Sequence, residues 1–298
     1  MENFKSGFVT LVGRTNVGKS TLLNALIKEK VAITTHKPQT TRTAIKAILN
    51  NENYQIIITD TPGIHKPRTK LSETMVDVAF GMLSKVDVIV YIIEANTKDI
   101  GAGDRIILDK IKESNKPCIL VINKIDLIKK EKLLELMKLY NDEHNFLSII
   151  PISAKKEEDV NKVIEEILEL LPNGPKYYDD NEYTDQTARQ ITEEIIREKC
   201  LKFLNEEVPH GIYIETEKFK LRKTIKKEKI YDIGALIYCL KESHKGIIIG
   251  RDGNLLKKIV TYARQDIEKI LGTKVNLKVW VKVKQDWQDS ASIVNKFK

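Results

Sequence analysis

The segment "GRTNVGKS", residues 13–20, governs how the first half of this chain is built. Its spacing is Gly13, four residues, then Gly18, Lys19 and Ser20. A short apolar run, residues 7–12, leads into it, and an apolar-periodic segment, residues 19–27, follows. A strand that turns through glycines into a helix is the setting of a P-loop. Across Gly13, Arg14, Thr15, Asn16, Val17 and Gly18, the glycines let backbone amides turn toward phosphates. Lys19 places a point charge on the β- and γ-phosphates, and the Ser20 hydroxyl ligates Mg²⁺. The helix that starts with Lys19, Ser20 and Thr21 adds the partial positive charge of its N-terminus.

Outward from this loop, strands and helices alternate. Residues 55–59, 86–93, 117–122 and 147–151 read as short, nearly continuous apolar strands, as expected when both sheet faces are covered. Helical patterns occupy residues 71–83, 102–113, 131–140 and 160–171. This rhythm predicts an α/β domain with a mostly parallel sheet and ligands at the carboxyl ends of the strands. Three further motifs fall at such ends. In "DTPG", residues 60–63, Asp60 holds the Mg²⁺ shell and the Gly63 amide senses a γ-phosphate. In "NKID", residues 123–126, Asn123 and Lys124 precede Asp126. The Asp126 carboxylate suits the N1–H and 2-amino donors of guanine. Adenine presents a lone pair at N1 and no 2-amino group, and sites of this kind discriminate by on the order of 10⁴-fold. "SAK", Ser153, Ala154 and Lys155, lies past the next strand and suits a backbone contact to the base.

P-loop, DxxG, NKxD and SAK in this order resemble the translation-factor-like GTPases over residues 1–172. The resemblance implies GTP and GDP as ligands with Mg²⁺, and two mobile segments: switch I near residues 30–43 and switch II near residues 63–71. It also implies a Mg²⁺-binding threonine within "HKPQTTRTA", which is Thr41 with Thr40 as the alternative. The metal set is then Ser20, Thr41 and Asp60, and the catalytic set Lys19, Asn16, Thr41 and Gly63. Many such GTPases place a water-orienting glutamine after the DxxG glycine. Here Ile64 stands there, and isoleucine cannot orient water. In GTPases with this hydrophobic substitution, an asparagine at the position of Asn16 often helps to hold K⁺.

"LLPNGPKYYDDNEYTD" interrupts the pattern, and residues 173–184 read as a linker with little to bury. Beyond it, residues 185–298 form a smaller α+β domain. Thr184 and Asp185 read as N-cap residues of a long helix. Two strands follow at residues 211–219 and 229–239, then a helical turn, a helix at 254–271 and a strand at 274–283. Between the turn and that helix lies "GRDG": Gly250, Arg251, Asp252 and Gly253. A GxxG loop between helices clamps about four nucleotides of single-stranded backbone. Lys245, Lys257, Lys258 and Arg264 supply charge, and Ile247, Ile248, Ile249 and Ile259 an apolar groove floor. The element order matches a type II KH domain. The basic run at residues 218–229 fits RNA phosphates, anionic headgroups or plain solvation. Trp280 and Trp287 fit base stacking or core packing.

The chain has 298 residues and a net charge of +8. From Pro175 onward there are 25 Lys and Arg against 19 Asp and Glu, so +6 of that +8 falls in the second half, which fits a polyanionic partner or a solvated basic surface with none. Cys118, Cys200 and Cys239 are too few and too scattered for a disulfide framework or a zinc site. No segment reads as a signal peptide or membrane span, so a cytoplasmic location is expected. A GTPase domain followed by a KH domain resembles the Era family of bacterial GTPases over nearly the whole chain. "GRTNVGKSTLLNAL", "PQTTR", "DTPGIHKP", "NKID", "EEIIREK", "GIIIGRDG" and "VKVKQDW" carry that resemblance. It implies a monomer that binds the 3′ end of 16S ribosomal RNA and the small ribosomal subunit under control of GTP, with contact at the inner face of the membrane. The rival readings are an RNA-binding assembly chaperone whose nucleotide is structural, and a P-loop ATPase, which Asp126 opposes.

Overall fold

In the computed structural model, residues 4–223, 225 and 228–297 are described; Lys226 and Lys227 of the basic run lie outside them. The chain forms two compact units, Met1–Asp185 with Asn295–Lys298, and Gln186–Val294.

The first unit is a six-stranded sheet in the order β2-β3-β1-β4-β5-β6. Its strands are β1 (Lys5–Val12), β2 (Ile45–Asn50), β3 (Tyr54–Asp60), β4 (Val88–Glu94), β5 (Cys118–Asn123) and β6 (Ser148–Ile152). All neighbours pair in parallel except β2, which runs antiparallel to β3 along the edge. β4 and β5 are buried almost end to end because helices cover both faces. On one face, α1 (Lys19–Ile27) and α5 (Val160–Leu170) bury Leu22, Leu23, Leu26, Val163 and Ile167 against Val9, Val90 and Val121. On the other, α2 (Lys70–Leu83), α3 (Ala102–Ser114) and α4 (Lys130–Glu143) bury Ala79, Leu83, Ile107, Ile111 and Leu136 against Ile89, Leu120 and Ile122. Each such valine, leucine or isoleucine side chain stabilises the unit by about 1.5–3 kcal/mol. The sheet therefore holds the tips of β1, β3, β4, β5 and β6 as a rigid platform.

The sequence reading contains no strand at residues 45–50, and it treats residues 173–184 as having little to bury. The structure differs on the first count; on the second, none of residues 173–184 is buried, yet the segment is hydrogen-bonded to the unit. β2 takes the edge of the sheet, and the segment beyond α5 straps onto the same unit. Gln55, fully buried on β3, accepts from the backbone N–H groups of Tyr177 (2.7 Å) and Tyr178 (3.0 Å) through Oε1 and donates to the Tyr178 carbonyl (2.8 Å). Ile48 N–H donates to the Tyr183 carbonyl (3.0 Å), and Thr184 Oγ1 donates to the Lys46 carbonyl (2.8 Å). The strap answers the open backbone groups of an edge strand, a demand no local composition reveals.

The second unit has a three-stranded sheet in the order β7-β8-β9. Along the chain it runs α6 (Ala188–Phe203), β7 (Tyr213–Lys223), β8 (Lys229–Cys239), α7 (Glu242–Ile249), α8 (Asn254–Leu271) and β9 (Lys274–Val283). β7 and β8 are antiparallel, β8 and β9 parallel. The N-cap of α6 is Thr187, in a capping box with Gln190, rather than Thr184 or Asp185. Thr184 is spent on the strap, and Thr187 is the hydroxyl with a glutamine three residues on. One sheet face packs on α6 and α8 through Ile195, Ile196, Ile233, Ile237, Ile259 and Ile267.

Candidate functional site

β1 delivers the chain into the P-loop, and α1 begins directly behind it. Gly18 sits at φ 100°, and a Cβ there would fall 2.2 Å from the Asn123 amide nitrogen, so a side chain is excluded on both grounds. Lys19 is buried, with its ammonium donating to the carbonyls of Gly13 (3.1 Å) and Arg14 (2.7 Å). Burial lowers its pKa to about 8, against the opposing pull of the Asp60 carboxylate. Arg14 turns outward and reaches Asp104 at 3.4 Å, while Thr15 stands against Gly63. Val17 is buried, and Thr21 sits half-buried in the first turn of α1.

Three oxygen-bearing side chains converge beside Lys19. Ser20 Oγ donates to Asp60 Oδ2 at 2.6 Å, Thr41 Oγ1 donates to the same atom at 3.1 Å, and the two hydroxyls are 2.9 Å apart. Asp60 Oδ1 is buried with no hydrogen-bond partner among the described residues. Burial pushes the Asp60 carboxyl above the ordinary carboxylate range, with Lys19, Ser20 and Thr41 pulling it back. A hard-oxygen cluster with one unsatisfied carboxylate oxygen fits Mg²⁺. Thr40 faces elsewhere: its hydroxyl donates to the Lys37 carbonyl (2.7 Å) and lies 2.7 Å from Thr35 Oγ1. Ile64 is buried in the core, and its N–H donates to the Gly13 carbonyl at 3.1 Å. Asn16 adopts φ 65° and donates its amide to the His36 carbonyl at 2.9 Å.

Asn123 ties the remaining loops together. Its amide donates to the Val17 carbonyl (2.9 Å), and its Oδ1 accepts from the backbone of Lys124 (2.8 Å) and Ala154 (3.0 Å). The Lys124 ammonium braces the P-loop through the Asn16 carbonyl (2.8 Å) and pairs with Glu94 (3.1 Å). Asp126 is exposed, and buried Ser153 donates to its Oδ1 at 2.7 Å. That hydrogen bond, above all, holds the Asp126 carboxyl below the usual carboxylate range. One carboxylate, oriented by a buried hydroxyl and open to solvent, remains available to two parallel donors. Lys155 is exposed beyond it.

In the second unit, α7 ends at Gly250, whose φ of 74° and whose position 2.6 Å (as a Cβ) from Leu255 both require glycine. Asp252 (φ 52°) and Gly253 (φ 74°) complete a tight turn into α8. Arg251, Asp252, Lys257 and Lys258 are exposed around it, and half-buried Lys245 pairs with Glu242 at 3.8 Å. The apolar floor expected from sequence is only partly there. Ile248 and Ile259 are fully buried in the core, and Ile247 alone of the named isoleucines is exposed. The helical period turns neighbouring isoleucines to opposite sides.

Comparison with known proteins follows this division. Residues 8–124 match a family of 50S ribosome-binding GTPases, and residues 207–288 match the KH domain. The GTPase Era of Caldanaerobacter subterraneus is 54% identical over 293 residues, covering 98% of this chain and 97% of the relative. The chain belongs to the Era family of GTPases.

The Era of Clostridioides difficile is 48% identical over 99% of the chain and 98% of its own length. Two solved Era structures superpose with a TM-score of 0.93. One, 38% identical over 99% of this chain and 98% of its own, is Era in complex with MgGDPNP and nucleotides 1506–1542 of 16S ribosomal RNA. The other, 37% identical over 99% of both chains, is a variant of Aquifex aeolicus Era bound to GDP·AlF4⁻. Within this Era-family chain, sequence reasoning misses Glu94, which lies opposite Asn123 in the β4–β5 register and holds Lys124. It also misses the Gln39–His65 contact, 2.9 Å between switch I and switch II. Both depend on pairings distant in sequence, and no local pattern announces them.

Proposed function

We infer that this chain is a GTP-hydrolysing switch that binds the 3′ end of 16S ribosomal RNA through its GxxG loop and assists assembly of the small ribosomal subunit. The observation that carries this reading is the 38%-identical Era holding MgGDPNP and 16S nucleotides in one complex. The residues support it from both ends. Asp126, aimed by Ser153, takes the guanine edge. Asn123 fastens the base-side loops to the P-loop, and Lys19 neutralises the phosphates. Ser20, Thr41 and Asp60 are the residues that would hold Mg²⁺, which supplies charge neutralisation between the β- and γ-phosphates when bound. Arg251 and the turn at Gly250 and Gly253 offer close backbone approach to an unpaired strand.

Thr41 reports the presence of a γ-phosphate, and β2 starts four residues later. β2 carries Tyr183 and Thr184 of the strap, which leads by chain into α6. Ordering of switch I is thus passed toward the KH domain. Ile64 gives no group to orient water, so hydrolysis draws on K⁺ beside Asn16. The Asn16 amide nitrogen is committed to His36, leaving its Oδ1 for a cation. Cytoplasmic location, a monomeric state and a peripheral contact at the inner membrane face belong to the same proposal; the last rests on the basic hairpin alone. Among the described residues no helix is long and apolar enough to cross a membrane. The test is the affinity of the full chain for a 16S 3′-end fragment with a non-hydrolysable GTP analogue and with GDP. The reading expects tighter binding with the analogue, and equal affinities overturn the switch.

A further inference from the structure

The sheet of the second unit shows two unlike faces. Val275, Leu277, Val279 and Val281 of β9 turn into the core, and the residues alternating with them turn away. The outward residues Lys274, Asn276, Lys278, Trp280 and Lys282 are all exposed. Register places Lys218, Gly234 and Lys278 in one outward row, and Lys220, Asp232 and Asn276 in the next. Trp280 is 49% exposed, whereas Trp287 is fully buried with its indole N–H on the Gly211 carbonyl (2.9 Å). The two tryptophans therefore divide the two roles the sequence left open. Gly234 lies under the Trp280 ring, at 3.4 Å from where its Cβ would be, and Lys218 flanks the same spot.

Charge on this face is one-sided. Lys218, Lys220, Arg222, Lys274, Lys278 and Lys282 stand with Glu215 and Asp232 as the acids of this face, and Lys274 pairs with Glu228 at 3.2 Å. Asp232 is already engaged by Arg222 (2.8 Å), Asn276 (3.0 Å) and Lys218 (3.7 Å). Among the described residues, no ion pair joins Lys220, Lys278 or Lys282 to an acid. An exposed aromatic plate beside Lys278 and Lys282, which have no ion pair among the described residues, is the arrangement that stacks a base and holds its flanking phosphates.

We propose that this outer sheet face is a second RNA-binding surface, distinct from the GxxG loop, on which an unpaired base stacks on Trp280 while Lys220, Lys278 and Lys282 contact phosphates. Stacking on an indole tolerates any base, so the surface adds affinity without reading sequence. A membrane surface fits less well. Trp280 is the one exposed large apolar side chain among these outward residues, and interfacial binding needs a broad apolar face. The proposal goes beyond the GxxG reading and does not depend on it.

The experiment uses the full chain and a short oligouridylate at low salt, read by tryptophan fluorescence and by affinity. Quenching is expected, and Trp280→Ala should remove it and weaken binding about 5- to 150-fold, as expected when one base is no longer stacked. Replacing Lys278 and Lys282 with alanine should reduce the slope of log K against log salt by about 1.4, since each phosphate left without its lysine lowers the slope by about 0.7. Arg251→Asp should leave the quenching in place. If Trp280→Ala and the double lysine variant bind as the parent does while Arg251→Asp abolishes binding, the surface is refuted and the GxxG reading stands. If Arg251→Asp also changes nothing, both fail. A fluorescence change with phosphatidylserine vesicles but not with RNA overturns the proposal in favour of a membrane contact. A concentration-dependent dimer that Trp280→Ala dissolves overturns it in favour of self-association.

Discussion

In the Asp126→Asn chain, Ser153 keeps a partner and the loop keeps its shape, because the oxygen that accepts from Ser153 Oγ at 2.7 Å is retained. What changes is the edge shown to the base. In the proposed reading the parent carboxylate accepts from two guanine donors, and hydrogen bonds to a charged group contribute about 1.5–3 kcal/mol each. An asparagine amide repels one donor and attracts the other only as a neutral group. The loss is therefore about 3–6 kcal/mol, roughly 10²- to 10⁴-fold in GTP affinity. Xanthine carries a carbonyl where guanine has its amino group, so XTP should gain what GTP loses. Titration of full-length protein with GTP, XTP and ATP, by calorimetry, gives the three affinities directly. Less than a tenfold loss for GTP, with XTP no better than in the parent, refutes the role given to Asp126. The pH dependence has a fixed sign. Because Ser153 holds the Asp126 pKa below its ordinary value, guanine preference persists through mildly acid pH and fades only as pH falls through that lowered value.

Three further outcomes rest on the same geometry. Thr41→Ala should reduce Mg²⁺-dependent GTP hydrolysis by a hundredfold or more, while Thr40→Ala, whose hydroxyl bonds to Thr35 and Lys37 rather than to Asp60, should stay within a few-fold; single-turnover rates distinguish them. Hydrolysis should be faster in K⁺ than in Na⁺, and Asn16→Ala should erase the difference. Gln55→Leu leaves the N–H groups of Tyr177 and Tyr178 without their buried acceptor, so it should cost about 2–4 kcal/mol in denaturant unfolding and open residues 173–184 to proteolysis.

The P-loop, the strand-end aspartates and the GxxG turn were legible because each is a local demand. Gly18 and Gly250 answer backbone constraints that a short window displays, and the apolar strands β4 and β5 announce two-sided burial. The edge strand β2 was not legible, since "IKAILN" is too short and irregular to separate from a loop without its partner β3. The hydrogen bonding of the strap was hidden for the same reason, although its exposure was as expected. Its acidic residues are solvated, and the hydrogen bonds that fix it run from its backbone to the Gln55 and Asn50 side chains and from the Thr184 hydroxyl to the Lys46 carbonyl, more than a hundred residues earlier. Thr41 over Thr40 was likewise a matter of which hydroxyl the turn points at Asp60. Sequence resemblance narrowed that choice to two, and the proposal of Thr41 is supported by its hydroxyl meeting Asp60 while that of Thr40 meets the Lys37 carbonyl.

The most direct measurement is ultraviolet crosslinking of the full chain to RNA in living cells, followed by sequencing of the attached fragments. The account predicts reads concentrated in the terminal segment of 16S ribosomal RNA, and their loss in a chain carrying Arg251→Asp. Reads spread evenly over cellular RNA, or unchanged by that substitution, contradict it.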